Sequence, residues 1–166
     1  MWPGMPLHLV LLEPEIPPNT GNIGRACAAT YSTLHLIEPL GFAINDRELR
    51  RAGMDYWKEV TWKLWPNWET FVAALTESNS KVPSAARPRL WYFTTKARKS
   101  LWQAEFRDGD YLVFGRESKG LPESLLAANE EWCIKIPQYN PHARSLNLST
   151  AAGIGLFEAL RQTRGA

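Results

Sequence analysis

The 166-residue sequence predicts an α/β fold with a mostly parallel sheet flanked by helices. Short apolar runs of strand length alternate with segments of helical periodicity along the chain, a pattern typical of parallel strands joined by helical crossovers. Several of these runs are continuous rather than alternating, which indicates strands buried on both faces. Because no repeat or domain-sized shift in composition interrupts the pattern, we expect one domain over residues 1–166.

The predicted strands are apolar runs that end at turn residues. The first, LHLVLLE, is followed by three prolines that force a loop, and the second, LHLIEPLG, stops at Pro39. The predicted strands cover residues 7–13, 34–41, 60–65, 89–95, 110–115 and 133–137.

Three predicted helices lie in the first half of the chain. Asn19 or Thr20 is expected to cap a helix that runs through Tyr31, and residues 46–51 predict a short helix. Asn67 is expected to cap a third helix, because apolar residues follow it at i, i+3, i+4 and i+7. They are Trp68, Phe71, Val72 and Leu75.

The second half predicts a polar, mobile connection over residues 76–89 and a helix starting near Pro122. The last helix begins around Leu148, with Ala152, Leu156, Ala159 and Leu160 on one face. Gly153 and Gly155 each cost about 1 kcal/mol relative to alanine inside a helix. They are therefore expected where something approaches the backbone closely.

Composition excludes several classes of protein. No apolar run approaches the length of a membrane span, and the N-terminus lacks the basic start of a signal peptide, so we expect a cytoplasmic protein. Cys27 and Cys133 are far apart and are expected to be reduced thiols. Because His8, His35 and His142 are also scattered, no metal site is expected.

The net charge is only +2, but basic residues are unevenly distributed. Residues 78–104 contain six of them and no acidic residue. This segment is consistent either with attraction of phosphates or with a solvated loop. The basic residues are Lys81, Arg87, Arg89, Lys96, Arg98 and Lys99.

Ligands of parallel sheets gather at the carboxyl ends of the strands, so the loops there are the candidate site. In the first loop, Gly21 and Gly24 are expected at the start of a helix, with Arg25 nearby. This arrangement is compatible with an anion-binding site at the helix end or, alternatively, with a capped helix that carries a surface arginine. In GRESKG, Gly115 is expected to let a ligand approach the backbone and Gly120 to take a positive φ.

Two further features complete the candidate loops. Glu117 is placed to accept hydrogen bonds from ribose hydroxyls or from backbone amides of a neighbouring loop, although a tight turn with solvated charges is the alternative. In PQYNPHARSLN, Ser145 and Asn147 offer side-chain hydrogen bonds, and Asn147 and Ser149 are expected to cap the last helix.

Together, three motifs in this order resemble those of the SPOUT methyltransferases. They are NTGNIGR (19–25), FGRESKG (114–120) and SLNLS (145–149). The segments LLEPEIPPNTGNIGR, LHLIEPLGF, LRRAGMDYW, TTK, DGDYLVFGRESKGLP and IKIP are most similar to the TrmL (YibK) branch. The resemblance covers about residues 7–163. The connection around residues 78–88 is longer than is usual in that family, and the tail after Arg164 is shorter.

The resemblance implies a C-terminal trefoil knot, a homodimer and S-adenosylmethionine as cofactor, with S-adenosylhomocysteine as product and no metal. It implies 2'-O-methylation of the wobble nucleotide, cytidine or uridine 34, in the tRNA anticodon loop. The implied cofactor-binding residues are Phe93, Gly115, Ile136 and Ser145, with Glu117 nearby and expected chiefly to brace the loops.

The resemblance also assigns Arg25 to the reacting hydroxyl. Because a guanidinium is effectively always protonated, we expect Arg25 to hold the adjacent phosphate and stabilise developing negative charge. Ser145 and Asn147 complete the implied catalytic set, and Asn147 with Arg144 is expected to position the nucleotide. The expected RNA contacts are Arg25, Arg144, Lys96 and Arg98, with Arg47, Arg50, Arg51 and Lys99 as further candidates.

Three alternatives stay open at this point. The motifs are compatible with 2'-O-methylation of another tRNA position or of rRNA, because they describe the cofactor pocket and the ribose chemistry. A non-catalytic RNA-binding protein of the same fold and a nucleotide-binding α/β protein are the other two.

Overall fold

The computed structural model describes residues 4–51 and 55–165, and within them seven parallel strands form one sheet. The strands are β1 (His8–Leu12), β2 (Thr33–Ile37), β3 (Thr61–Trp65), β4 (Leu90–Phe93), β5 (Lys99–Ser100), β6 (Tyr111–Phe114) and β7 (Cys133–Lys135). Their order across the sheet is β3-β2-β1-β6-β4-β7-β5. The predicted α/β class with a mostly parallel sheet is confirmed.

Helices cover both faces of this sheet. They are α1 (Pro17–Thr30), α2 (Asp46–Arg51), α3 (Trp68–Asn79), α4 (Glu123–Ala128) and α5 (Leu148–Arg164). None of the helices in the described ranges is both long and apolar enough to cross a bilayer.

Alternate residues of the central strands enter two separate apolar cores. In β1, Leu9 and Leu11 pack with α1 and α5, whereas Val10 and Leu12 pack on the side of α3 and α4. This division follows from the two-residue side-chain period of a strand. It explains why the runs are continuously apolar, since both faces of the central strands are buried.

The first helix starts earlier than predicted, and the expected caps are wrong. The N-cap is Ile16, without a side-chain hydrogen bond, and prolines occupy the first helical positions. Because proline has no N–H to satisfy, a capping side chain is not required there. Asn19 and Thr20 are instead buried inside the first turns, and the helix ends at Thr30.

Other boundaries differ by a few residues. The second strand ends at Ile37 rather than residue 41, before Pro39, which cannot donate to the sheet. The polar connection predicted from residue 76 begins later, because α3 continues to Asn79. Strand β5 was missed because two residues carry no periodic pattern.

A buried carboxylate joins β6 to β4. Asp110 is fully buried and accepts hydrogen bonds from Arg89 Nη2 (2.8 Å), Trp91 Nε1 (2.9 Å) and the Arg107 amide (2.9 Å). Arg89 is therefore committed to an ion pair inside the protein rather than available to phosphates. Burying an ion pair with its hydrogen bonds satisfied avoids the large penalty of an unpaired charge.

Two histidines form a buried pair between β1 and β2. Trp65 Nε1 donates to His35 Nδ1 (3.0 Å), so the other His35 nitrogen carries the proton and donates to His8 Nδ1 (2.9 Å). The Tyr111 ring stacks on His8, with ring centroids 4.1 Å apart. Burial, with a smaller contribution from a nearby lysine, lowers the pKa of His8 to about 4; burial is also the main cause that lowers the pKa of His35 to about 3.

Candidate functional site

A cleft of about 510 Å³ opens at the carboxyl edge of the sheet. Its volume lies within the range of about 300–1,000 Å³ that is typical of small-molecule sites. Parallel strands place all their carboxyl ends at one edge, so loops distant in sequence meet there. The lining includes Ile16, Asn19 and residues 93–96, 114–121, 136, 138 and 145–148.

The structure brings all the predicted cofactor-binding residues to this cleft. Phe93, Gly115, Glu117, Ile136 and Ser145 each contribute to its lining. Asn147 and Lys96 also line it, although they were expected to act on the nucleotide or the RNA. Sequence reasoning did not select other lining residues, among them Lys119, Gln138 and Leu146.

Phe93 forms an apolar wall between the cleft and the last helix. Its ring stacks on Phe114, with ring centroids 4.4 Å apart. A Cβ atom at Gly155 would lie 2.7 Å from the Phe93 ring, so the close approach predicted for the glycines of α5 is confirmed at Gly155. Apart from the backbone of α5 itself, nothing in the described chain lies within 4 Å of a Cβ placed at Gly153.

The GRESKG segment folds back on itself as a turn. The Gly120 amide donates to the Arg116 carbonyl (2.8 Å), and Gly120 has the positive φ predicted for it, +69°. A Cβ at Gly115 would lie 2.1 Å from the Gly120 carbonyl carbon and 2.2 Å from the Leu121 nitrogen. The turn's own backbone therefore requires a glycine at position 115, without any approach of a ligand.

Glu117 fastens this turn to the loop after β1. Its carboxylate accepts hydrogen bonds from the Glu15 amide (2.8 Å), the Ile16 amide (3.0 Å) and Asn19 Nδ2 (3.4 Å). The expectation that Glu117 braces the loops is confirmed. These bonds also satisfy backbone donors at the start of α1, where helix geometry leaves N–H groups unpaired.

Two further links run between the same loops. Arg116 pairs with Glu13, its Nε donating to the carboxylate at 2.8 Å, and the Ser118 hydroxyl donates to Glu15 at 2.6 Å. The Ser118 hydrogen bonds lower the pKa of the Glu15 carboxyl. Sequence reasoning missed both acidic partners, although their position directly after β1 places them beside the turn that follows β6.

Asn147 links the third motif to the first. Its Oδ1 accepts from the Ser149 amide (2.9 Å) and hydroxyl (2.6 Å) and from the Thr150 amide (3.3 Å), which confirms it as the cap of α5. Ser149 lies in the first turn and is not a cap. Asn147 Nδ2 donates to Asn19 Oδ1 at 3.0 Å, so Asn19 connects Glu117 to Asn147.

Arg25 lies outside the cleft of its own chain. It is exposed on α1, with its guanidinium carbon 5.3 Å from the centre of the Tyr56 ring. Gly21 and Gly24 lie within α1 rather than at its start, so their predicted placement at a helix start is wrong. A Cβ at Gly24 would lie 2.6 Å from the Trp57 ring, so the glycine accommodates an aromatic side chain.

The remaining predicted RNA contacts are at the surface. Lys96 is paired with Glu123 at 2.5 Å and Arg98 with Glu130 at 3.8 Å, and all four side chains are largely exposed. Arg144 is exposed in the loop before α5 but does not line the cleft. Arg47 and Arg51 are also exposed. The side chain of Arg50 lies outside the described residues.

The residues that the structure describes contain no group of three or more His, Cys, Asp or Glu side chains that could hold a metal ion.

Comparison with known proteins shows one consistent family. Residues 6–157 match the SpoU rRNA Methylase family. A tRNA (cytidine(34)-2'-O)-methyltransferase of Saccharophagus degradans is 46% identical over 158 residues, which cover 93% of this chain and 94% of the relative.

Solved structures of methyltransferases are also similar to this chain. One, described as giving structural insights into the 2-OH methylation of C/U34 on tRNA, is 45% identical with a TM-score of 0.83 and covers 97% of both chains. An AdoMet-bound rRNA methyltransferase from Sinorhizobium meliloti is 25% identical with a TM-score of 0.77, covering 95% of this chain and 57% of the other.

Proposed function

The chain belongs to the SpoU methylase family, and on that premise we propose that it methylates the ribose 2'-hydroxyl of the wobble nucleotide, cytidine or uridine 34, in tRNA. The methyl donor is S-adenosylmethionine. The observation that carries the proposal is that all three sequence motifs meet at one cleft, in a chain similar over almost its whole length to methyltransferases of position 34.

The cleft suits a nucleoside cofactor. Phe93, Ile136 and Leu121 supply apolar surface, while Thr94 and Ser145 add hydrogen-bonding groups at its edge. An adenine ring needs such an apolar slot with a few fixed polar groups. These residues would hold S-adenosylmethionine, which supplies an activated methyl group on a positively charged sulfur. Glu117 lies in the same wall, and its carboxylate is compatible with that charge.

The protein's main contribution is alignment of the ribose hydroxyl with the methyl group. Orientation of two reactants within a site removes much of the entropic barrier to a displacement. Ser145 is exposed at the cleft and free to contact the ribose or the cofactor. Asn147 uses both polar ends of its side chain within the chain, so it positions the Ser145 loop rather than the nucleotide itself.

Arg25 binds the phosphate next to the reacting ribose and stabilises negative charge that develops on the 2'-oxygen. A guanidinium does not accept the proton, because it stays protonated. Removal of Arg25 is expected to prevent methyl transfer and to leave cofactor affinity nearly unchanged, since Arg25 does not line the cleft.

The active form is a homodimer in which Arg25 of one subunit serves the cleft of the other. One observation supports this arrangement: Arg25 lies outside the cleft of its own subunit. Mixing Arg25→Ala subunits with Gly115→Ala subunits tests it, because only a mixed dimer would then contain one complete site. Recovery of activity on mixing is the expected result, and its absence would place Arg25 and the cleft in the same subunit.

The tRNA anticodon loop is the partner, and the cytoplasm, where tRNA is modified, is the expected location. Unpaired anticodon bases are accessible to a protein, and phosphate contacts supply most of the affinity. Arg25 and Arg144 are the proposed phosphate contacts. Lys96 and Arg98 contribute once RNA phosphates compete with the carboxylates that pair with them in the free protein.

Methylation of defined transcripts tests the function. Purified protein, labelled S-adenosylmethionine and unmodified tRNA should yield one ribose methyl group, which mass spectrometry should locate at nucleotide 34. A matched tRNA with a single 2'-deoxy sugar at position 34 should accept none. Label in the 2'-deoxy tRNA would overturn the assignment to this position. In cells that lack the protein, the same methyl group should be missing.

Calorimetry separates this function from a binding module of the same fold. An RNA-binding protein without catalysis is expected to show no uptake of S-adenosylmethionine, whereas the proposed enzyme binds both the donor and S-adenosylhomocysteine. Stronger competition by ATP than by S-adenosylhomocysteine would favour a nucleotide-binding protein.

A further inference from the structure

We infer that Tyr56 is the positioning residue of Arg25, its ring holding the guanidinium in the orientation needed for methyl transfer. The inference rests on the proposed function, in which Arg25 binds the phosphate beside the reacting ribose. Tyr56 itself does not line the cleft and acts only through Arg25.

The contact has the geometry of a cation–π interaction. The guanidinium carbon lies 5.3 Å from the ring centre, within the separation of about 6 Å at which such contacts are favourable. Among the side chains that the structure describes, no carboxylate forms an ion pair with Arg25. The aromatic face is thus the partner that the folded chain provides for this exposed charge.

Contact through the ring face leaves the arginine able to bind a ligand. The N–H donors of a guanidinium lie in its plane and form a fork that matches phosphate oxygens. A carboxylate partner would occupy that fork, whereas an aromatic face interacts with the plane of the group and leaves the donors free. Tyr56 can therefore restrict the motion of Arg25 without competing with RNA.

The Tyr56 ring is itself tied to the helix that carries Arg25. Its hydroxyl donates to the Gly21 carbonyl at 2.5 Å, one helical turn before Arg25. Burial raises the pKa of the Tyr56 hydroxyl, so the hydroxyl stays protonated and keeps its hydrogen bond to Gly21. The hydrogen bond fixes the ring at a defined place on α1.

The neighbouring residue supplies a second attachment. Trp57 is 7% exposed and packs directly on Gly24, where even a methyl group would approach its ring to 2.6 Å. Gly21, Gly24 and Arg25 thus receive three contacts from two consecutive aromatic residues. The segment before β3 is therefore held against α1 at the position of the arginine.

Substitutions at position 56 separate the ring from its hydroxyl. In single-turnover methyl transfer, Tyr56→Leu should lower the rate between about twofold and thirtyfold, the range of a cation–π contact. Tyr56→Phe keeps the ring and should retain most of the rate. The dissociation constant of S-adenosylhomocysteine should not change in either variant. Tyr31→Leu, an exposed tyrosine just after α1, is the matched control and should behave as wild type.

The Arg25→Ala background shows whether Tyr56 acts through the arginine. In that background Tyr56→Leu should cause no further loss of tRNA affinity, whereas a merely structural role would lower that affinity equally in both backgrounds. If Tyr56→Leu does not fold, pentafluorophenylalanine at position 56 is a second variant, because it keeps the shape of phenylalanine but removes the negative charge of the ring face. Its single-turnover rate should be lower than that of Tyr56→Phe by the same factor as is expected for Tyr56→Leu.

An NMR readout does not depend on catalysis. The Arg25 Nε–H resonance should carry a ring-current shift that Tyr56→Phe preserves and Tyr56→Leu abolishes. A full rate in Tyr56→Leu, together with an inactive Arg25→Ala, would overturn the inference and leave the proposed function intact. Full activity in Arg25→Ala would instead refute the role of Arg25, while the resonance would still report whether Tyr56 holds it.

Discussion

Gly155→Ala tests whether α5 sets the position of the Phe93 wall and thereby the cofactor site. The new methyl group would lie 2.7 Å from two atoms of the Phe93 ring. Carbon atoms pack at about 3.5–4.0 Å, so the ring has to retreat by about 1 Å, and its free side faces the cleft. The wall would then enter the space proposed for the cofactor.

Two opposing contributions keep the effect of Gly155→Ala on the free energy of unfolding small, whereas nothing offsets its effect on cofactor binding. Alanine gains about 1 kcal/mol of helix propensity over glycine, and overpacking costs about 1–3 kcal/mol. The free energy of unfolding should therefore fall by about 0–2 kcal/mol. A displaced ring should weaken binding of S-adenosylhomocysteine by about 1–2 kcal/mol, or about fivefold to thirtyfold.

Urea unfolding and titration calorimetry measure these two quantities. Gly153→Ala is the matched substitution, because it has the same propensity gain and meets no described atom outside the backbone of α5 within 4 Å. It should leave the affinity for S-adenosylhomocysteine unchanged. Adding Phe93→Leu to Gly155→Ala should recover stability, since the smaller side chain makes room. Wild-type affinity in Gly155→Ala would refute the reasoning.

Three further predictions concern groups away from the cleft. His8 and His35 stay neutral in the folded protein at pH values well below their unfolded pKa of 6.5. The free energy of unfolding should therefore decrease as the pH falls below about 6.5, by up to about 2.7 kcal/mol per pH unit, until the two histidines titrate near pH 4 and pH 3. An equal urea midpoint at pH 7 and pH 5 would contradict this. Asp110→Ala should cost about 3–5 kcal/mol in urea unfolding, because it removes the carboxylate partner of the mostly buried Arg89 guanidinium, whereas exposed Asp108→Ala should cost less than about 0.5 kcal/mol. Burial raises the pKa of the Cys27 thiol to about 12, so this thiol should react with a disulfide reagent only at the rate of unfolding.

Sequence reasoning succeeded where one physical rule governs a position. Continuous apolar runs located the central strands because both faces of β1 and β6 are buried. Asn147 caps α5 because its amide oxygen reaches N–H groups two and three residues ahead. Gly120 adopts the left-handed backbone expected of a turn glycine. Each of these features depends on a few neighbouring residues.

The sequence could not show contacts that only the folded chain creates. Gly115 lines the cleft as predicted, but the backbone of its own turn already requires a glycine there. Arg89 was grouped with basic residues available to phosphates, yet it pairs with Asp110, twenty-one residues away. The trefoil knot and the single-domain boundary stay predictions.

The sequence alone determined the class of fold, the order of its helices and of its strands other than β5, and which loops carry the motifs, because periodicity, turn residues and motif order are local properties of the chain. Only the tertiary structure decided how those loops are joined. The links from Glu117 to residues 15, 16 and 19, and from Asn147 to Asn19, span about a hundred residues or more of chain. Such contacts depend on which strands become neighbours in the sheet, and adjacency of that kind is a property of the assembled fold.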